Sequence, residues 1–315
     1  MISRKTISFS HPALAGREHP SFEAHGAEAG PHLALLGGIH GCEYSSIAAV
    51  VRVMNELDPA ALKGTVVAVP VVSMDSFRAR SPFVVPADGK NLNRCFPGDP
   101  DGTFSDVLAH AIFEELIAPA DYVVDLHGGD LVEALEPFAI YDESAVEETA
   151  REMAVAFGLP YVVREQKRPG GLAGMTSSAA AAAGIPAIIA EAGGCGQLEE
   201  NAVRLLVEGV QNVLRQLDML PGDPAPPRTE MRHVGGNEWL RCERQGWWEA
   251  AVRAGDRVRA GDVLGRVRDL WGDEHEVITA PADGVVLFLT TSAAVEADGL
   301  LLGLGTELKP IGAAA

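Results

Sequence analysis

The 315-residue chain is 47% hydrophobic and 22% charged, which is ordinary for a soluble globular protein and enough for a large core and more than one domain. A formal net charge of -19 argues against nucleic acid and anionic membrane as partners, but not against a small anion gripped by a local arginine. The four cysteines, Cys42, Cys95, Cys195 and Cys242, form no C-x-x-C pair, which argues against a zinc ribbon or a disulfide framework.

The basic start, Met1 to Ile7, is followed by His11, Pro12, Arg17 and Glu18 instead of an apolar run, so it does not read as a signal peptide. His32 to Leu36 is a short apolar strand ending at Gly37-Gly38, and Ser45 to Leu57 has helical periodicity. Thr65 to Val72 is a valine-rich run of the kind covered on both faces of a sheet. Helix is expected over Ser105 to Ile117, strand over Tyr122 to Asp125 and Phe138 to Tyr141, helix over Ala145 to Phe157, and strand over Tyr161 to Val163. A helix over Met175 to Ala183, the strand Ala187 to Ala190 and the helix Glu199 to Leu217 complete the pattern. The uncharged stretch Met175 to Ala190 falls short of the ~20 residues that span a bilayer, and a cytosolic protein is expected. Alternating strands and helices predict a three-layer α/β sandwich with a mixed, largely parallel sheet.

Pro221 to Pro227 is a proline-dense linker, dividing the chain into residues 1–220, a linker at 221–230, and residues 231–315. The last part has short strands and repeated glycine turns, as in Ala254-Gly255-Asp256 and Ala260-Gly261-Asp262, and predicts a small all-β module. This module resembles the barrel-sandwich of biotinyl and lipoyl carriers. The hairpin near Trp271 to His275 has no lysine to modify, so a cap or assembly surface is expected.

Three segments carry the chemistry: Gly37 to Glu43, Asp125-Leu126-His127 and Glu191 to Gly194. Each follows a predicted strand, where ligands bind in open α/β sheets. His40, Glu43 and His127 are the donor set of a catalytic zinc site, two imidazoles and a carboxylate with a fourth position open. One Zn2+ per chain is the cofactor expected. Glu191 is the candidate base for a water attacking a carbonyl. Asp125, two residues from His127, is placed to orient an imidazole. Asn93 and Arg94, in Asn91 to Gly98, suit a loop that grips a carboxylate. Arg78 and Arg80 are alternative residues for polarising the scissile carbonyl. His11, His19, His25, His32 and His110 are not expected among the ligands.

The Gly-Gly-Ile-His-Gly-Cys-Glu, Asn-Leu-Asn-Arg, Asp-Leu-His and Glu-Ala-Gly-Gly segments, in this order, resemble the succinylglutamate desuccinylase/aspartoacylase family of the zinc carboxypeptidase superfamily. The resemblance covers roughly residues 30–220. It implies zinc on His40, Glu43 and His127, carboxylate recognition by Asn93 and Arg94, proton shuttling by Glu191, and a C-terminal β domain that narrows the entrance. The expected activity is removal of a small acyl group from a carboxylate-bearing N-acyl amino acid, with self-association left open. Two rivals stand beside it: a metallocarboxypeptidase acting on peptides, and a non-catalytic binding protein built on the β module.

Overall fold

The computed structural model describes residues 1–166 and 174–312. Among the described residues, nine strands and six α-helices precede the linker. The strands are β1 (Ile2–Ile7), β2 (His19–His25), β3 (Glu28–Gly37), β4 (Lys63–Val69), β5 (Tyr122–His127), β6 (Glu133–Leu135), β7 (Phe138–Asp142), β8 (Tyr161–Glu165) and β9 (Ala187–Glu191). The helices are α1 (Tyr44–Glu56), α2 (Met74–Ala79), α3 (Phe104–Ile112), α4 (Glu147–Phe157), α5 (Thr176–Ala182) and α6 (Glu200–Gln216). After the linker come β10 (Arg232–Arg241), β11 (Gly246–Ala250), β12 (Arg257–Val258), β13 (Val263–Arg268), β14 (Glu274–Thr279), β15 (Gly284–Thr290), β16 (Ala294–Val295) and β17 (Leu300–Pro310).

Strands β4, β3, β5 and β9 run parallel and adjacent at the centre, and β7 joins them antiparallel. Their residues read as unbroken apolar runs because both faces are covered. One face packs on α1, α4 and α6 through Val50, Val53, Met153, Leu206 and Val210. The other packs on α3 and α5 through Val107, Leu108, Ile112 and Ala180. This is the three-layer sandwich with a mixed, largely parallel sheet that the sequence predicts. Among the described residues, no helix is long and apolar enough to cross a membrane.

The polar start of the chain is more ordered than its composition suggests. β1 pairs with β2, and β2 with β4, both antiparallel, which extends the sheet at that edge. The helix expected over Ser105 to Ile117 narrows to α3, followed by one wide turn over Phe113–Ile117. The β-rich part is joined to the central sheet by hydrogen bonds. β10 pairs parallel with β8, β17 with β10, β15 with β17, and β6 reaches back to β15. A separate antiparallel sheet, β14-β13-β11-β16, packs over them around Trp248, Leu264 and Val267. The β13–β14 turn carries exposed Leu270 and Trp271 and no lysine.

Candidate active site

The three motif segments meet because their strands are neighbours. β3, β5 and β9 are parallel, so their carboxyl ends lie side by side; Gly37 pairs with Leu126, and His127 with Glu191. The chain leaves β3 through Gly38, whose φ of +61° is left-handed and suits glycine, and this turn brings His40 and Glu43 back over the sheet. β5 continues to His127, so Asp125 and His127 share a face.

His40, Glu43 and His127 are all buried, and their ligand atoms lie within 4.8 Å of one another. Each Glu43 oxygen faces one imidazole: Oε1 is 2.6 Å from His40 Nδ1 and Oε2 is 3.1 Å from His127 Nδ1. The far nitrogens are held from outside. His40 Nε2 donates to Asn91 Oδ1 at 3.0 Å, and His127 Nε2 donates to Asp125 Oδ2 at 2.9 Å. Both Nδ1 atoms are thereby directed at one carboxylate. This is how outer hydrogen bonds set the tautomer of metal-binding histidines. A divalent cation in place of the protons between these atoms satisfies all three donors, so the trio fits a metal site.

The electrostatics agree with a cation-binding centre. Burial alone would raise the Glu43 carboxyl, but His40 and His127 outweigh it and pull it down to about 2. Burial alone would lower His127, but Asp125 and Glu43 hold it well above the usual imidazole value. Glu191 is pushed well above the usual carboxylate range by burial, and by Glu43, Glu133 and Asp125, against the opposing pull of His127.

These side chains line one cavity of about 340 Å³. Its wall includes His40, Glu43, His127 and Glu191, with Asn91, Asn93 and Arg94 from the loop before α3. Asn93 is buried, and its Oδ1 accepts from Thr176 N at 3.0 Å. Arg94 Nη1 donates to the Asn93 carbonyl at 2.6 Å. The opposite wall comes from beyond the linker: Asn237 and Trp239 of β10, Phe288 of β15 and Leu300 of β17. Trp239 and Phe288 pack edge to face, 5.4 Å between ring centroids.

Arg78 and Arg80 do not join this group, which corrects the expectation that one of them polarises the carbonyl. Both are exposed at the end of α2 and neither lines the cavity. The connection that follows is pinned differently. Phe83 N donates to buried Asp130 Oδ2 at 2.5 Å, which sets the Phe83 ring against His40, 6.0 Å between centroids. His11, His19, His25, His32 and His110 all lie outside the cavity wall. Cys42 is buried, and burial and Asp130 raise its thiol, which keeps it protonated.

Sequence reasoning passed over Asn91, Thr176 and Glu133. Asn91 lay in the quoted motif, and its spacing from Asn93, whose N–H its Oδ1 also accepts at 2.8 Å, is an Asx-turn signal. Thr176 Oγ1 donates to Asp125 Oδ2 at 2.5 Å, a long-range contact with no local signature. Asp125→Asn is expected to weaken metal binding by roughly 10–100-fold while the circular dichroism spectrum is kept, because His127 loses its charged anchor. Unchanged affinity in a competition titration with a chelator would show that Asp125 does not orient the ligand.

Comparison with known proteins agrees with this geometry. The family model described as the succinylglutamate desuccinylase/aspartoacylase catalytic domain matches residues 29–217. The N-α-acetyl-L-2,4-diaminobutyric acid deacetylase of Halomonas elongata is 30% identical over 247 residues, 76% of this chain and 71% of the relative. Among solved structures, the product-bound ectoine utilization protein EutE (DoeB) from Ruegeria pomeroyi superposes with a TM-score of 0.84 at 26% identity, covering 96% of this chain and 95% of that one. A succinylglutamate desuccinylase/aspartoacylase structure from Rhodobacter sphaeroides gives 0.81 at 27% identity, covering 98% and 94%.

Proposed function

Since the chain belongs to the succinylglutamate desuccinylase/aspartoacylase family and is a deacylase of that type, we propose that it is a zinc enzyme that hydrolyses the amide of a small N-acyl amino acid. One observation carries the reading: His40, Glu43, His127, Glu191 and Arg94 converge on a single cavity of about 340 Å³ that the C-terminal strands wall off. Two imidazoles and a carboxylate are the donors of catalytic zinc.

His40, Glu43 and His127 would hold the ion. When bound, it supplies a Lewis acid that polarises the acyl carbonyl and makes nearby water more acidic. Asp125 and Asn91 keep the two imidazoles in the tautomer that offers Nδ1. Arg94, with the Asn93 amide N–H groups, grips the substrate carboxylate and sets the scissile amide beside Glu191. Glu191 takes a proton from the attacking water and returns it to the leaving nitrogen. Trp239, Phe288 and Leu300 shield the acyl group from bulk water and restrict its size.

An assay separates this from a peptide-cleaving carboxypeptidase. The zinc-loaded protein is expected to hydrolyse N-acetyl amino acids with kcat/KM at least about 100-fold above that for the same residue behind a dipeptide, because Trp239, Phe288 and Leu300 narrow the cavity on that side. Arg94→Ala is expected to raise KM for N-acetyl amino acids by about 10–100-fold. Equal or faster peptide cleavage would transfer the assignment to the carboxypeptidase reading.

A further inference from the structure

We propose that Glu133 is the residue that selects a second, cationic nitrogen on the substrate, so that the enzyme prefers N-acylated diamino acids to N-acylated dicarboxylic acids; the proposal rests on the deacylase reading above. The charges that line the cavity are mostly negative. Among the described residues, four carboxylates face it, Glu43, Glu133, Glu165 and Glu191, against one guanidinium, Arg94. Three of the four have work already. Glu43 faces the two imidazoles, Glu191 is the proton carrier, and the charge of Glu165 acts on Arg94. Glu133 has no such role.

The surroundings of Glu133 differ from those of Arg94. The charges that act on its carboxylate are Glu43 and Asp130, both of its own sign. Burial, with these two neighbours, pushes it up to about 8, so an ammonium beside it would draw it back to the ionised form. A substrate whose α-carboxylate sits on Arg94 and whose side chain ends in a cation therefore matches both parts of the wall. A second carboxylate on the substrate meets no described cation there and is repelled.

The backbone holds Glu133 firmly. β6 is clamped between β15, where Glu133 pairs with Thr290, and the glycine pairs after β5 and β9. A Cβ on Gly129 or on Gly194 would lie 2.3 Å from the Glu133 carbonyl oxygen, so both positions need glycine for the strand to sit this close. Cys195 N also donates to that oxygen at 2.9 Å. The glycines of the Asp-Leu-His-Gly-Gly and Glu-Ala-Gly-Gly segments thus seat the strand that carries Glu133. A side chain on a rigid strand is a suitable reader of charge.

The test uses three substrates of similar size: N-α-acetyl-2,4-diaminobutyrate, N-acetylnorvaline and N-acetylaspartate, with cationic, neutral and anionic side chains. The zinc-loaded wild type is expected to prefer the cation over the neutral substrate by about 10–100-fold in kcat/KM, and the anion least. Glu133→Gln is expected to cut the cation-to-neutral ratio by about 10-fold or more, chiefly through KM. Glu133→Asp, which keeps the charge, is expected to retain part of the preference. Calorimetric binding of 2,4-diaminobutyrate against norvaline should lose its preference in Glu133→Gln by the same factor, with zinc content and thermal melting recorded beside it. An unchanged ratio, or an equal loss on all three substrates, overturns the assignment. A wild type that turns over the neutral substrate best also overturns it while leaving the deacylase reading intact. A zinc-loaded wild type that hydrolyses none of the three, and also fails on their N-succinyl counterparts, overturns the small-acyl amidase reading and this proposal with it.

Discussion

Glu191→Gln is expected to keep its zinc and lose about 10²–10⁴-fold in kcat, the range of a positioned general acid–base. Glutamine preserves the size and the hydrogen-bonding outline of the side chain but cannot accept the proton from water. The ligand trio does not include Glu191, so metal content separates loss of chemistry from loss of the site. The pH profile gives a second, independent reading. Glu191 sits well above the usual carboxylate range because burial and the neighbouring carboxylates disfavour its charge. A base must be ionised, so kcat/KM falls as pH drops through this raised value. The acid limb is expected above the ordinary glutamate value of about 4.3, with bound zinc drawing it downward. In Glu191→Gln the residual activity is expected to lack the limb. Full turnover with zinc retained would remove Glu191 from the mechanism.

The trio that fits a metal site was legible in the sequence because the physics that places it is local. An apolar strand followed by a glycine turn and a polar pair reads directly as a site at a strand's carboxyl end. His40 and Glu43 lie three residues apart, and Asp125 and His127 two apart, so spacing alone decides which of them share a face. Residues whose roles depend on tertiary approach were not legible. Glu133 lines the cavity from β6, a strand held by β15 from beyond the linker and by close approach of Gly129 and Gly194. Thr176 reaches Asp125 across 51 positions. Arg78 and Arg80 show the converse error. An arginine near a motif invites a role, but the turn between α2 and Asn91 is decided by Phe83 N on Asp130, which sets a phenyl ring beside His40. The β-rich part was recognised by its glycine turns, while its place as a cavity wall follows from the β8–β10 pairing, which no local pattern encodes.

His127→Ala is expected to reduce metal content from about one ion per chain to a small fraction after dialysis against a chelator. It removes one of three donors and also the group that lies between two buried carboxylates: Glu43 Oε2 at 3.1 Å and Asp125 Oδ2 at 2.9 Å. Deleting one partner of a buried ion pair costs about 3–5 kcal/mol when the other stays charged. Here the penalty is lessened as Glu43, no longer held down by His127, takes up a proton, so the metal-free variant should be destabilised most at high pH and least at low pH. The wild type has a matching signature. With Asp125 and Glu43 holding His127 well above the usual imidazole value, the metal must displace a proton from it. Binding should therefore release protons, and affinity should fall as pH drops below that raised value. Calorimetry in buffers of different ionisation enthalpy measures that release directly. Wild-type metal content in His127→Ala would show that this trio is not the ligand set. Absence of proton release would instead show that His127 is already neutral before the ion arrives, and that its hydrogen bond to Asp125, not its charge, prepares the site.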